Sequence, residues 1–401
     1  MSVLSKIQLE KYADTLIWGL TTARSAAFRK YDNILLRCDL EARELGEIVY
    51  RKLVQRKFNV VFNFLPSPVL DRSFYEYSDD KQRAFLGSWD KELYNNLNGY
   101  VFIHAPASLT HLKGIDTKRQ SQVAIARKPL FRIRDEREQK GKFSWTLCTY
   151  PTEELAKQAK LSVKEYAAQI AKACYLNEPN PAKKWGQIYK DTMAIKKWIS
   201  GLGIDTIRTE SKHMDLEVKL GEQRRFLGVS GHNIPSFEIF TSPDWRGTRG
   251  RYFANLPAFR GGNYVEEISL EFKDGRAVKI SAKKGEEYVK KIMATDPGAS
   301  QLGEYSLTDR RFSRIDKFMA DTLFDENHGG KHGNCHVAIG NSYTDTYTGN
   351  VAKLDKAKKT ALGYNDSAVH WDLINTEDKK VTATLKTGKK VTIYEKGQFK
   401  Y

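Results

Sequence analysis

The stretch NILLRCDLEARELGEIVYRKLVQRKFNVVFNFLP, residues 33–66, decides the fold of the first half of the chain. Its two apolar runs, NILLRCD at 33–39 and NVVFNFLP at 59–66, have the length and composition of buried strands. Between them the apolar residues recur on one side of a helix: Leu45, Ile48, Leu53 and Val54. A strand, a helix and a second strand form a βαβ unit, which predicts a parallel sheet with right-handed crossovers.

The same pattern continues beyond the first unit. A third strand, GYVFIHAP at 99–106, is followed by a basic helical stretch at 118–142 and a fourth strand at 143–151. Further helices are predicted over 152–176 and 182–201. Residues 1–202 are therefore predicted to form a Rossmann-like α/β domain with a helical connector. Its first crossover lacks both GxGxxG and GxxxxGK[ST], so we expect a scaffold or substrate-covering role.

Short strand candidates dominate the second half of the chain. The segments EEISLEF and AVKISAK are joined through Asp274-Gly275, a strong signal for a β-hairpin, and a second hairpin is predicted across Thr387-Gly388. Two helices are predicted near 284–295 and 314–323. We expect residues 203–401 to form a mixed α+β, strand-rich domain, and every candidate metal ligand lies in it.

Composition limits the class of protein. The 401 residues are 40% hydrophobic and have a formal net charge of +17. No uncharged apolar run is long enough for a membrane span, and Glu10 and Asp14 interrupt any signal-like segment. The four cysteines show no CxxC spacing, which indicates a reducing, cytoplasmic setting. The positive charge is spread along the chain among acids, which favours an ordinary basic surface over a nucleic-acid interface.

Metal-binding residue types concentrate in the second half. The stretch FDENHGGKHGNCHVAIGNSY, residues 324–343, holds acids and histidines in a glycine-rich loop before an apolar run. In GYNDSAVHWDLI, His370 and Asp372 are two residues apart, so on a strand both side chains leave the same face. Glu238 and Glu304 are single carboxylates in apolar contexts and need a partner. Together these segments predict a metal site.

The order of these segments resembles the thermophilic-type metalloaminopeptidases of family M29, the aminopeptidases T and S. Five blocks between about 230 and 374 support the resemblance: NIPSFEIFTSP, LGE, LFDEN, CHVAIGNSY and GYNDSAVHWD. The piece WTLCTYPT at 145–152 is also similar to the family. Five blocks in the right order are more specific than any single one.

The resemblance implies a cytoplasmic, dimeric enzyme that removes single amino acids from peptide N-termini. It also implies two divalent metal ions and no organic cofactor, with Glu304 as the carboxylate shared by both ions and Tyr343 beside them. The implied metal ligands are Glu238, Glu304, Glu326, His336, His370 and Asp372.

This chemistry is sensible for peptide hydrolysis. Two metal ions about 3.5–4 Å apart lower the pKa of a bridging water and polarise the scissile carbonyl. Mixed carboxylate and imidazole ligands suit zinc, cobalt or manganese, and the residues do not choose among these metals. Tyr343 is expected to donate a hydrogen bond to the oxyanion. Either Glu238 or Glu326 would be the general base, and the residues do not separate the two.

The chain departs from the family pattern at two places. Ser236-Phe237 stands where the family has a Thr-Gly pair, so we expect Phe237 to narrow the substrate pocket. An enlarged loop, HGGKHGN at 328–334, adds His328 and His332. Weak metal binding by these histidines is one interpretation, but we expect the loop to be solvent-exposed. Two other interpretations stay open: a catalytically weakened relative that binds nucleic acid or acidic proteins, and a mononuclear zinc hydrolase.

Overall fold

The computed structural model describes residues 3–401, apart from the side chain of residue 352. Its helices are α1 Lys6–Thr22, α2 Arg43–Gln55, α3 Pro68–Tyr77, α4 Asp80–Ala84, α5 Ser88–Asn96, α6 Thr117–Gln139, α7 Glu153–Gln158, α8 Val163–Ala173, α9 Pro181–Gly201, α10 Glu286–Met293, α11 Thr322–Asp325 and α12 Lys356–Ala361. Among these described helices, none is both long and apolar enough to cross a bilayer.

The strands are unevenly distributed along the chain, with most of them after residue 203. They are β1 Asn33–Cys38, β2 Asn59–Phe64, β3 Gly99–His104, β4 Ser144–Thr149, β5 Ile204–Ser211, β6 Asp215–Lys219, β7 Asn233–Ile234, β8 Glu238–Thr241, β9 Asp244–Ala254, β10 Ala258–Arg260, β11 Asn263–Lys273, β12 Arg276–Lys284, β13 Leu302–Thr308, β14 Asn334–Gly340, β15 His370–Asn375, β16 Lys379–Leu385, β17 Lys390–Glu395 and β18 Gln398–Phe399.

Four strands of the first half and β7 from the second half form a five-stranded parallel sheet in the order β2-β1-β3-β4-β7. Helices α1, α2 and α8 cover one face, and their apolar side chains share a core with Ile34 and Leu36 of β1. A smaller core lies on the other face, where Leu35 packs with Leu97 and Phe143. The predicted parallel α/β architecture is confirmed.

The second half forms two antiparallel sheets. One contains nine strands in the order β10-β11-β9-β6-β5-β16-β17-β18, with β12 paired to β11, and the other contains β15-β14-β13-β8. A second core joins these two sheets. The predicted hairpin at Asp274-Gly275 is confirmed, since both residues adopt positive φ, 50° and 78°, between β11 and β12. The predicted strand-rich C-terminal half is therefore correct.

Residues from the second half of the chain contribute to the sheet and the core of the first half. The connector helix α9 ends at Gly201 and β5 begins at Ile204, on either side of the predicted boundary at 202/203. However, β7 pairs with β4 of the parallel sheet, and Phe237 and Phe324 contribute to the first core. The boundary itself stays a prediction.

The predicted helix at 314–323 is wrong, because only α11, Thr322–Asp325, forms there. Asp321 caps α11 by accepting a hydrogen bond from the backbone N–H of Phe324. The carboxylate of Asp325 accepts from the N–H groups of Met319 and Asp321. These bonds satisfy backbone donors outside a helix and hold the preceding segment as a loop.

Candidate metal centre

Strand register places five of the six predicted ligands, all except Glu326, on one face of the four-stranded sheet. Glu304 of β13 is paired with Ala338, and Ala338 is paired with Asp372 of β15. His336, two residues before Ala338, points to the same face, and His370 lies opposite Gly340. The intervening residues face the second core: Ile239, Tyr305, Leu307, Val337, Ile339, Trp371 and Leu373. Strand pairing and side-chain alternation therefore bring residues from distant parts of the sequence into one cluster.

The cluster consists of two overlapping groups. In the first group, Nε2 of His336 lies 3.3 Å from Oε2 of Glu238 and 3.4 Å from Oε1 of Glu304. In the second, Nε2 of His370 lies 3.5 Å from Oε2 of Glu304 and 3.5 Å from Oδ1 of Asp372. The possible ligand atoms of each group lie within 4.8 Å of one another. Glu304 belongs to both groups, with one oxygen directed to each histidine.

A backbone contact fixes the orientation of His370. Its Nδ1 lies 2.9 Å from the carbonyl oxygen of Asn341, which can only accept a hydrogen bond. Nδ1 therefore carries a hydrogen in either protonation state, and Nε2 faces Glu304 and Asp372, where it can offer its lone pair once its own proton is displaced. Metal-binding histidines show this arrangement, in which the second nitrogen donates to a carbonyl or a carboxylate.

Gly303 shapes the strand that presents Glu304. The register between β13 and β14 shifts between Leu302 and Glu304, which makes an irregularity next to the site. A Cβ atom at Gly303 would lie 2.3 Å from the carbonyl oxygen of Asn341 and 2.4 Å from that of Gly340. Only glycine fits this close approach. Gly303 therefore permits the backbone irregularity that orients the carboxylate of Glu304.

The electrostatics of the site are dominated by buried carboxylates. Burial, together with the charge of Glu238, raises the pKa of Glu304 to about 7. Burial opposes the charge of His370, but the carboxylates of Asp372 and Glu304 outweigh burial and raise its pKa to about 9. Burial also opposes ionisation of Asp372, yet the charge on His370 holds its pKa at about 2. These groups compete for protons and cations.

Glu326 adjoins the two groups without belonging to either. Burial raises its pKa well above the ordinary value, and the charges of Glu238 and Asp372 add to that rise. Its Oε1 accepts long hydrogen bonds from Nδ2 of Asn233, at 3.5 Å, and of Asn327, at 3.4 Å. Glu326 thus stands within electrostatic reach of the cluster as a carboxylate held by amides.

Tyr343 stands at the solvent side of the site. Its ring centroid lies 4.7 Å from that of His370 and 5.8 Å from that of Phe240, and its side chain is 42% exposed. The backbone N–H of Tyr343 donates to Oγ of Ser242 at 2.8 Å. This position allows its hydroxyl to reach a molecule that enters from solvent.

Two expectations about neighbouring residues need correction. Phe237 does not narrow a pocket, because its side chain is fully buried in the first core and stacks on Trp185 at 5.1 Å between centroids. Phe237 directly precedes β8 and packs in the first core, whereas the next residue, Glu238, belongs to the ligand cluster. His328 and His332 are half-buried rather than solvent-exposed, and the 328–334 loop packs Gly329 and Gly333 inside the protein. Neither histidine belongs to the two ligand groups among the described residues.

Sequence reasoning missed the residues that support the ligands. Arg260 donates from Nη1 to the carbonyl oxygen of His370, and Ser306 donates to Glu238 at 3.4 Å. Asn341 acts only through its backbone, so no side-chain pattern could have indicated it. For Ser306 a signal existed, because it stands two residues after Glu304 and so shares its face of a strand.

The donor set fits divalent cations. Among the described residues, the only cationic side chains that pair with Glu238, Glu304 and Asp372 are the two site histidines. Nδ1 of His336 is buried and has no hydrogen-bond partner. Buried carboxylates need a compensating cation, and imidazole with carboxylate oxygens suits zinc, cobalt or manganese. The fold therefore presents a buried cluster whose residues fit a site for divalent cations.

Comparison with known proteins gives the family. The family model described as thermophilic metalloprotease (M29) matches residues 5–399, and the chain belongs to this family. The chain is 29% identical to aminopeptidase AmpS of Bacillus subtilis over 323 residues, which cover 76% of this chain and 77% of that protein. It is 28% identical to aminopeptidase PepS of Streptococcus thermophilus over an alignment that covers 98% of both chains.

A solved structure shares the fold. The structure of wild-type AmpT from Thermus thermophilus matches with a TM-score of 0.79 and 20% identity, and the match covers 98% of this chain and 99% of that one. Aminopeptidase T of the same organism is 33% identical over 242 residues, which cover 57% of each chain. The predicted family is therefore confirmed across nearly the whole length.

Proposed function

We propose that this chain is an aminopeptidase that hydrolyses the N-terminal residue of peptides at a centre of two divalent metal ions. Membership of the metalloprotease family and the aminopeptidase relatives make a metal-dependent aminopeptidase the class of enzyme. The observation that carries the two-ion proposal is the position of Glu304, whose two oxygens are directed to two separate histidines. Glu238 and His336 complete one set of ligands, and His370 and Asp372 complete the other.

When held by these residues, two divalent ions would make a water molecule nucleophilic at neutral pH and would polarise the scissile carbonyl. Side chains of the protein would then accept the proton of the attacking water and donate a hydrogen bond to the substrate. Glu326 lies beside both groups but in neither, which favours it over Glu238 as the general base that holds the proton of the attacking water. Tyr343 donates from its hydroxyl to the developing oxyanion. The acidic character of the site attracts the free α-ammonium group of a peptide.

The proposal is tested with purified enzyme and an aminoacyl-p-nitroanilide. We expect a chelator to abolish cleavage and zinc, cobalt or manganese to restore it, with two metal ions per chain by elemental analysis. The N-acetylated substrate is the matched control and should not be cleaved. One ion per active chain would favour the mononuclear alternative. No cleavage with any metal, combined with salt-sensitive nucleic-acid binding, would favour the binding-protein alternative.

The catalytic contribution of Tyr343 is measurable separately. Tyr343→Phe removes only the hydroxyl, and we expect kcat to fall about 100-fold while the metal content is unchanged. Tyr347→Phe is the matched control, because Tyr347 is buried in a separate small cluster. Unchanged kcat in Tyr343→Phe would make Tyr343 a packing residue.

A homodimer in the cytoplasm belongs to the same proposal. Helices α3 and α5 expose large apolar side chains, including Tyr77, 83% exposed, and Trp89, 65% exposed. Contiguous exposed apolar surface is typical of interfaces.

Each of the four cysteines is a buried free thiol, as expected in a reducing compartment. For the proposed dimer, we expect light scattering to give twice the mass of one chain. The Trp89→Glu variant should have the mass of a single chain, and a monomeric wild type would overturn the dimer.

A further inference from the structure

Arg37 interrupts an apolar face of the parallel sheet. Alternation along β1 directs Ile34, Leu36 and Cys38 into the first core, so Leu35 and Arg37 project from the opposite face. On that face Leu35 packs in the small core with Leu97, Phe143 and side chains of α5. Parallel sheets covered on both faces are usually apolar on both, so a guanidinium at this position is unusual and requires a compensating partner.

Helix α6 brings two more arginines to the same place. Arg127 and Arg134 are seven residues apart, about two helical turns, and therefore lie on one side of the helix. With Arg37 they line a largely enclosed cavity of about 160 Å³ between the sheet and α6. The remaining wall is aromatic and aliphatic, with Tyr100 and Phe131 among its residues. A water molecule needs only about 10–15 Å³ by such a measure, so the cavity has room for a small molecule.

The cavity contains positive charge without matching negative charge. No Asp or Glu is among its lining residues. Nε of Arg37 and Nε of Arg134 are buried and have no hydrogen-bond partner. In the described part of the chain, the one carboxylate paired with Arg134 is its neighbour Asp135, at 3.5 Å, and neither Arg37 nor Arg127 has an ion pair. Arg37 and Arg134 are half-buried and Arg127 is exposed, so an anion bound among them would meet guanidinium groups that are already partly removed from water.

We propose that this cavity is a binding site for a small oxyanion, a phosphate or a carboxylate. The planar guanidinium fork matches both groups and binds them through paired hydrogen bonds. The aromatic wall suits a ligand with a flat apolar body attached to the anionic group. None of the lining residues belongs to the metal-ligand groups, so the site is separate from the proposed catalytic chemistry.

Binding to the holoenzyme tests the proposal directly. Isothermal titration calorimetry with inorganic phosphate, acetate and benzoate, at an ionic strength matched with sodium chloride, compares the wild type with Arg37→Met and Arg134→Met. We expect saturable binding of one oxyanion class that either variant weakens at least tenfold. Arg132→Met is the matched control, because Arg132 lies on the same helix but is exposed, and it should change affinity less than twofold. Tight phosphate binding assigns the phosphate class, and preference for benzoate assigns carboxylates.

Two further measurements distinguish this cavity from the metal centre and from a purely structural arginine cluster. Glu304→Gln should keep oxyanion binding, whereas its loss would place the anion at the metal centre and overturn the proposal. Without added oxyanion, Arg37→Met should be at least as resistant to urea as the wild type, because it removes an unpaired cation. Marked destabilisation by Arg37→Met would indicate a structural role. Binding no stronger than that of chloride, or wild-type affinity in both arginine variants, would likewise overturn the proposal.

Discussion

Arg260 donates a hydrogen bond from Nη1 to the carbonyl oxygen of His370 across 3.0 Å. Its guanidinium carbon also lies 5.4 Å from the ring centroid of Trp371, the next residue of β15. One side chain of the β10 strand therefore holds the backbone between two candidate ligands, His370 and Asp372. Supporting contacts of this kind set the orientation of metal-binding side chains.

We predict that Arg260→Met weakens metal binding by about 10–100-fold, because the backbone that carries His370 loses its brace. Competition with a coloured chelator measures the affinity. Arg276→Met is a matched control, since Arg276 donates to the carbonyl of Pro297 at 2.8 Å and lies 5.4 Å from the ring of Trp245. Equal losses in both variants would show a general effect of removing an arginine that contacts a tryptophan ring.

Glu304→Gln should lower activity by at least about 100-fold and reduce the metal content of the purified protein. The amide keeps the shape of the side chain but offers a weaker donor to either cation. Activity assays with elemental analysis measure both effects. Glu271→Gln is the control, because Glu271 is an exposed residue of β11. Retained turnover would remove Glu304 from the site.

Glu326→Gln separates a general base from a ligand. As a base, Glu326 contributes to proton transfer, so we predict a fall in kcat of about 10²–10⁴-fold with unchanged metal content. Kinetics and elemental analysis on the same preparation decide the matter. Loss of metal ions together with activity would instead assign Glu326 as a ligand.

The affinity of chelator-stripped protein for metal should rise with pH. With its pKa raised to about 9, His370 carries a proton at neutral pH, and a metal ion binds only the neutral imidazole. Each displaced proton makes the apparent affinity rise about tenfold per pH unit below pH 9, and the slope should decrease above that pH. Chelator-buffered titrations between pH 6.5 and 9.5 measure the slope. A flat profile would contradict proton displacement.

Phe237→Ala should lower the free energy of unfolding by about 3–5 kcal/mol, because it empties a fully buried aromatic site. The ring stacks on Trp185 and contacts Tyr175 at 6.3 Å between centroids. Urea denaturation measures the change. Phe85→Ala is the control, since Phe85 is exposed and should change stability little. If the variant instead widened substrate specificity at full stability, Phe237 would line the pocket.

The sequence predicted the strands and helices of the first half closely, because period and length distinguish buried strands from amphipathic helices. The predicted strand at 33–39 is Asn33–Cys38, and the predicted helix at 182–201 is Pro181–Gly201. The helix predicted at 314–323 was wrong, because the side chains of Asp321 and Asp325 accept hydrogen bonds from backbone N–H groups and hold the segment as a loop. The periodicity of apolar residues contains no information about such hydrogen bonds.

The sequence indicated which side chains the fold brings together, but it did not indicate the residues that support them, and the role of these side chains as metal ligands stays a prediction. Residues on strands, such as His370 and Asp372, follow an alternation that the sequence shows. The contributions of Arg260 and of the Asn341 carbonyl depend on which strands become neighbours, and this follows only from tertiary structure. Phe237 was misassigned because its position next to Glu238 in the sequence does not reveal that it packs in the first core, which only the tertiary structure shows.

The interleaving of the two halves has a consequence during synthesis. The parallel sheet is made first, but β7, Phe237 and Phe324 complete its edge and its packed interior. The nascent chain therefore exposes an unsealed apolar surface until much of the later half has left the ribosome. A fragment that stops at the connector helix should aggregate, and early engagement by chaperones is the expected fate of the growing polypeptide.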